Sequence, residues 1–178
     1  MSDKKFSDDQ FRKARDWFED LMDRTPGLGA YRGLEKLRDQ DKIIRENAVA
    51  LFRRIKDQLE NGKADLLNSG GLSLLGGLEA LTSRLDKLIN MHRFAAYGYS
   101  GVFDTERIEE SELEELRRYD LTIVTKAGEF LTRLEVEGPF AAATLSERLS
   151  ATRQIIDELE SLVAGRRESF HKNFAGED

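Results

Sequence analysis

The amino-acid sequence predicts an all-α protein: an antiparallel four-helix bundle, up-down and coiled-coil-like, with an additional amphipathic helix at the N-terminus. Three observations carry this. Apolar residues recur three and four positions apart over long stretches, which lines them up on one face of a helix. Strand-like alternation persists nowhere beyond a few residues, and its best instance, Leu121-Thr122-Ile123-Val124-Thr125, sits inside an unbroken helical period. Apolar residues at 39% against charged residues at 35% supply a core yet leave more charge than an average globular chain carries, as amphipathic helices do. A length of 178 residues suits one compact domain and is short for two. The chain is therefore read as a single unit, with an N-terminal helix over 8–23, a bundle core over 34–170 and a flexible tail over 171–178.

The N-terminal helix is expected from about Asp8 to Asp23, where Phe11, Ala14, Trp17, Phe18, Leu21 and Met22 form one stripe. Ser7 with Gln10 fits a capping box, and Phe6 with Phe11 a hydrophobic staple. Thr25-Pro26-Gly27 then stops it, because the residue before proline disfavours the helical region. From Leu34, positions 34, 37, 41, 44, 48, 51, 55 and 58 alternate three and four apart, a heptad seam with Asp41 as a polar intruder. This second helix is expected to reach about Leu59, roughly 39 Å at 1.5 Å per residue, with Asn61-Gly62 as its end.

A third helix follows the Asn68-Ser69-Gly70-Gly71 break and carries Leu74, Leu75, Leu78, Leu81, Leu85, Leu88 and Ile89, then His92, up to Tyr97-Gly98-Tyr99-Ser100-Gly101. The fourth starts near Asp104 or Ser111, and its seam holds Leu113, Leu116, Asp120, Ile123, Val124, Ala127, Leu131 and Leu134. Gly138-Pro139 separates it from a fifth helix, whose seam is Leu145, Leu149, Thr152, Ile156, Leu159 and Val163. Four long helices with short connections pack at about 20° to one another, with the N-terminal helix across or beside them.

Composition removes whole classes of chemistry. Without cysteine there is no disulfide, thiolate metal site, iron–sulfur cluster or cysteine nucleophile, and the two histidines fall short of most zinc and di-iron sites. A net charge of −6 repels phosphate backbones, so nucleic acid is not an expected partner. The N-terminus lacks the apolar run of a secretory signal and no stretch reaches the roughly 20 apolar residues of a membrane span, so the expected location is the cytoplasm. Gly27–Gly33, Gly70-Gly71 and Gly76-Gly77 lack the spacing and context of phosphate loops. Glu168-x-x-His171 has the spacing of a carboxylate-bridged metal motif but stands alone, since Ile89 precedes His92 where a second Glu is needed. No cofactor and no metal are expected.

Two groups of residues remain as candidates. Asp41, His92 and Asp120 each fall on an apolar helical face, so a bundle that buried them would have to pair them, either with one another as a polar network or with an arginine such as Arg45, Arg93 or Arg117. The alternative is that each sits at the edge of its seam, facing water. Tyr97, Tyr99, Phe103 and Asp104 mark an aromatic turn around two glycines, which either closes the end of the bundle or forms a docking patch for a partner. Charge is also segregated. Eight acids and three bases between Asp104 and Asp120 give −5, whereas nine bases and six acids between Arg32 and Lys63 give +3. Such faces guide packing within one chain, between two copies or toward a basic partner.

The function expected is that of a non-catalytic bundle acting through protein–protein contacts, as adaptor, scaffold or self-assembling module, with a protein partner or a second copy. The alternative is a peripheral membrane module using the aromatic stripe of the N-terminal helix. Against it, six bases and six acids between Lys4 and Arg24 leave that segment without net attraction to anionic lipid. A ligand-binding or enzymatic bundle around His92 and the two seam aspartates ranks last.

Overall fold

The computed structural model describes residues 34–69, 72–94, 110–138, 140 and 144–174. The helix expected over 8–23 and the aromatic turn with Tyr97, Tyr99, Phe103 and Asp104 lie outside the described residues. The protein is all-α: α1 (Leu34–Ser69), a 3-10 turn (Leu72–Leu74), α2 (Leu75–Phe94), α3 (Glu110–Glu137) and α4 (Leu145–Phe174), with no strand among the described residues. Helices α1 and α4 each pack against both α2 and α3.

The seams expected for α2, α3 and α4 are buried from Leu78, Leu116 and Leu149 onward, whereas Leu74 and Leu75 are half-buried and the side chains of Leu113 and Leu145 lie outside the described set. Leu78, Leu81, Leu85 and Leu88 of α2, Ile123, Val124, Ala127, Leu131 and Leu134 of α3 and Leu149, Ile156, Leu159 and Val163 of α4 share one core cluster, and Leu116 of α3 is 2% exposed. Each fully buried aliphatic side chain contributes about 1.5–3 kcal/mol relative to exposure, and these rows supply the main force that holds the helices together.

Helix α1 departs from expectation twice. A strict heptad placed Leu51 and Gln58 on the seam, but both are only half-buried while Phe52 and Leu59 are 0% exposed. The buried line runs through positions 44, 48, 52, 55, 59, 62 and 66, about 3.67 residues per step, close to the 3.6 of a straight helix rather than the 3.5 of a coiled coil. The second departure is length: α1 continues to Ser69, for 36 residues, through the Asn61-Gly62 pair expected to end it. The reason is tertiary. A Cβ on Gly62 would stand 2.4 Å from a ring carbon of Phe140, so the glycine is what lets that ring close over α1. Burying Phe140 offsets the roughly 1 kcal/mol that a mid-helix glycine costs.

At the α3–α4 turn, Gly138 takes φ +67° and donates its N–H to the Leu134 carbonyl at 3.2 Å, the left-handed cap that ends many helices. Arg148 of α4 donates to the Gly138 carbonyl at 3.1 Å and lays its guanidinium 4.0 Å above the Phe140 ring. The Phe140 N–H donates to Asp65 of α1 at 3.3 Å. The turn is thereby tied to both α1 and α4.

Candidate functional site

The expected polar residues separate in the fold. Asp120 projects from α3 into the core, 1% exposed, and accepts a hydrogen bond from Nε of Arg166 on α4 at 2.6 Å. The exposures of the two side chains are 1% and 6%, so both charges have left water, which is tolerable only because they meet. The second carboxylate oxygen of Asp120 is buried without a hydrogen-bond partner among the described residues, as is the hydroxyl of Ser169, one turn beyond Arg166.

His92 of α2 is 3% exposed and turns its ring edge-on to Phe52, 5.4 Å between centroids and 84° between planes. No hydrogen bond joins it to Asp120. Asp41 lies on α1, its side chain outside the described set. The described geometry therefore unites Asp120 with an arginine rather than with His92, and that arginine is none of the three singled out by position. Arg166 was nonetheless legible: the α4 seam steps through Ile156, Leu159 and Val163, and three residues further falls on 166. Chemically the pair is a neutral unit that holds α3 and α4 in register.

The surface carries ion pairs between helices. Arg84 of α2 forks onto Asp157 and Glu160 of α4, and hydrogen bonding to Glu160, with Asp157 beside it, holds the guanidinium above its ordinary pKa. Lys56 of α1 meets Asp86 of α2 at 2.7 Å, which raises the pKa of its amine. Arg54 of α1 meets Glu135 of α3 at 2.8 Å, and Lys126 of α3 meets Glu158 of α4 at 2.5 Å. Arg54 and Lys56 of the positive stretch, like Lys63 with Glu60, thus pair outside the acidic stretch 104–120.

Between α2 and α4 runs an open groove of about 420 Å³, with Met91 and Ala164 on its walls, Lys87 on one lip and Asp157 and Glu160 on the other. Large apolar side chains are exposed at Leu67 (56%), Leu72 (66%) and Val136 (82%). Leu67 and Leu72 flank the C-terminal end of α1, and Val136 stands in the last turn of α3. Among the described residues, no cluster of three or more His, Asp or Glu could hold a metal ion, and no helix is long and apolar enough to cross a membrane. Comparison with family models, with curated proteins and with solved structures gives no match.

Proposed function

We propose that this chain is a non-catalytic helical bundle that works through protein–protein contacts, its four helices arranged up-down and antiparallel. Paired positions support that arrangement. Phe52 with His92 and Lys56 with Asp86 run in opposite senses along α1 and α2, as do Lys126 with Glu158 and Asp120 with Arg166 along α3 and α4.

The observation that carries the contact function is the group of exposed large apolar side chains. Isolated exposed apolar residues are ordinary, but several near helix ends mark a surface awaiting cover. Leu67, Leu72 and Val136 are the large apolar side chains exposed among the described residues, two of them flanking the C-terminal end of α1 and the third in the last turn of α3. A protein partner or a second copy of the chain is the occupant such chemistry fits.

The test is light scattering across protein and salt concentration, on the natural chain and on Leu72→Lys with Val136→Lys. The expected result is a mass above that of one chain, or a retained partner, that the lysines abolish. A strict monomer at every condition, together with partner recovery that ignores the substitutions, overturns the proposal.

A further inference from the structure

Contacts between α2 and α4 climb together along the two helices. A Cβ on Gly77 would stand 3.2 Å from Leu149, Arg84 bonds Asp157 and Glu160, and Met91 shares the groove with Ala164. Beside Arg84 the seam is closed by these ion pairs, and one turn further it widens into the open groove of about 420 Å³. The floor is Leu88, 0% exposed, with Met91 beside it, and Ser161 and Ala164 on the α4 wall are too short to fill the space. The charges are unbalanced lip by lip. Arg84 donates to both carboxylate oxygens of Glu160 and to one of Asp157, a single cation against two carboxylates, which leaves the α4 lip one negative charge in excess. Asp157 is 59% exposed. On the α2 lip Lys87 is exposed and has no ion pair among the described residues. The groove thus holds a spare cation and a spare anion apart on its two sides.

We propose that this α2–α4 face is the contact between two copies of the chain, related by a twofold axis that runs along the groove. Half a turn about such an axis exchanges the two lips but keeps the direction along the helices, so α2 of each copy lies on α4 of the other at the same height. Lys87 of each copy then arrives over Asp157 and Glu160 of the other, and both spare charges are matched, twice per dimer. Arg84 stays neutralised by its own two acids, and the assembled face carries no net charge. Met91 of each copy meets Ala164 of the other, where an unbranched thioether fills an irregular gap well. The charge pattern is what selects a copy as the occupant. An unlike helix laid in the groove would need an acid facing Lys87 and a base facing Asp157 at one height, whereas this face, turned on itself, supplies both. A contact of this polarity assembles at low salt and loosens as salt screens it. The inference rests on the contact function proposed above and names one partner: the groove takes the second copy, and Leu67, Leu72 and Val136 are left for a different protein.

Charge reversal tests this arrangement by sedimentation equilibrium of the full chain at low salt. In Lys87→Glu carboxylates oppose each other at both symmetric contacts, and in Asp157→Lys ammonium groups do. Each variant alone should self-associate about tenfold or more weakly than the natural chain. An equimolar mixture of the two should recover a dimer of near-natural affinity, because every contact then joins opposite charges, and the double variant Lys87→Glu with Asp157→Lys should do the same. Far-UV circular dichroism and urea midpoints should stay near those of the natural chain, since both positions are exposed. Met91→Cys mixed with Ala164→Cys, in a chain without other cysteines, should join through a short bis-maleimide in higher yield than either variant alone. A natural chain that remains monomeric at low salt overturns the proposal. So does a dimer indifferent to both reversals, or one that the mixture fails to restore. The contact function is judged separately: association or partner binding that is lost in Leu72→Lys with Val136→Lys but untouched by the reversals upholds that function and removes this face from it.

Discussion

Removing one member of the Asp120–Arg166 pair should be far more damaging than removing a similar pair at the surface. The two side chains are 1% and 6% exposed with 2.6 Å between the bonded atoms, and one carboxylate oxygen already lacks a hydrogen bond among the described residues. Asp120→Ala would remove the carboxylate to which the buried Arg166 Nε donates, and breaking a buried ion pair from one side costs about 3–5 kcal/mol. At a urea slope of about 2 kcal/mol/M, the unfolding midpoint would fall by about 2 M. Arg54 and Glu135 bond at 2.8 Å but are 61% and 44% exposed, so Arg54→Ala should cost under about 1 kcal/mol. The double variant Asp120→Leu with Arg166→Met removes both charges and keeps apolar volume, so it should be as stable as the natural chain or better, by up to about 4 kcal/mol. Urea titrations of the natural chain, Asp120→Leu, Arg166→Met and the double variant close a double-mutant cycle and give the coupling directly. If Asp120→Ala costs no more than Arg54→Ala, or if the two core substitutions simply add, the pair is not desolvated and the reasoning fails.

Two further outcomes follow from local geometry. Gly62→Ala gains up to about 1 kcal/mol of helix propensity but places a methyl 2.4 Å from the Phe140 ring, an overpacking that costs about 1–3 kcal/mol. Gly76→Ala meets nothing within 4 Å and should stabilise by about 0.5–1 kcal/mol, so equal midpoints for the two variants would count against the packing of Phe140 on α1. A hydrogen bond from Arg133, reinforced by Arg148, holds the Glu137 carboxyl below its ordinary pKa. A carboxylate with a lowered folded pKa stabilises above its unfolded pKa, and that contribution is lost as pH falls through the folded value. Glu137→Gln should accordingly cost under about 1 kcal/mol near neutrality and nothing after acidification, measured as melting temperature against pH; a penalty that grows on acidification contradicts the assignment.

Much of the helical architecture was open to inspection in one dimension. The seams of α2, α3 and α4 are set by apolar residues at three- and four-residue spacing, and burial follows them from Leu78 to Leu88, from Leu116 to Leu134 and from Leu149 to Val163. Gly138 likewise announced the end of α3, because a left-handed residue is cheapest without a Cβ. Along α1 the buried line does not keep the heptad period. The heptad line and the buried line share positions 44, 48 and 55 and differ by one residue at the turns after 48 and 55, so Leu51 gave way to Phe52 and Gln58 to Leu59.

Local chemistry, then, determined that this chain makes helices, which face of most of them is buried, and that cysteine chemistry is closed to it, because propensity, period and composition act within a few residues or on the chain as a whole. Tertiary structure alone decided that α1 passes through Gly62, since the Phe140 ring that needs the space is 78 positions away in sequence. It also decided that Asp120 is answered by Arg166, 46 residues on, since a buried charge takes its partner from whichever helix packing brings alongside, and distance along the chain carries no record of that choice.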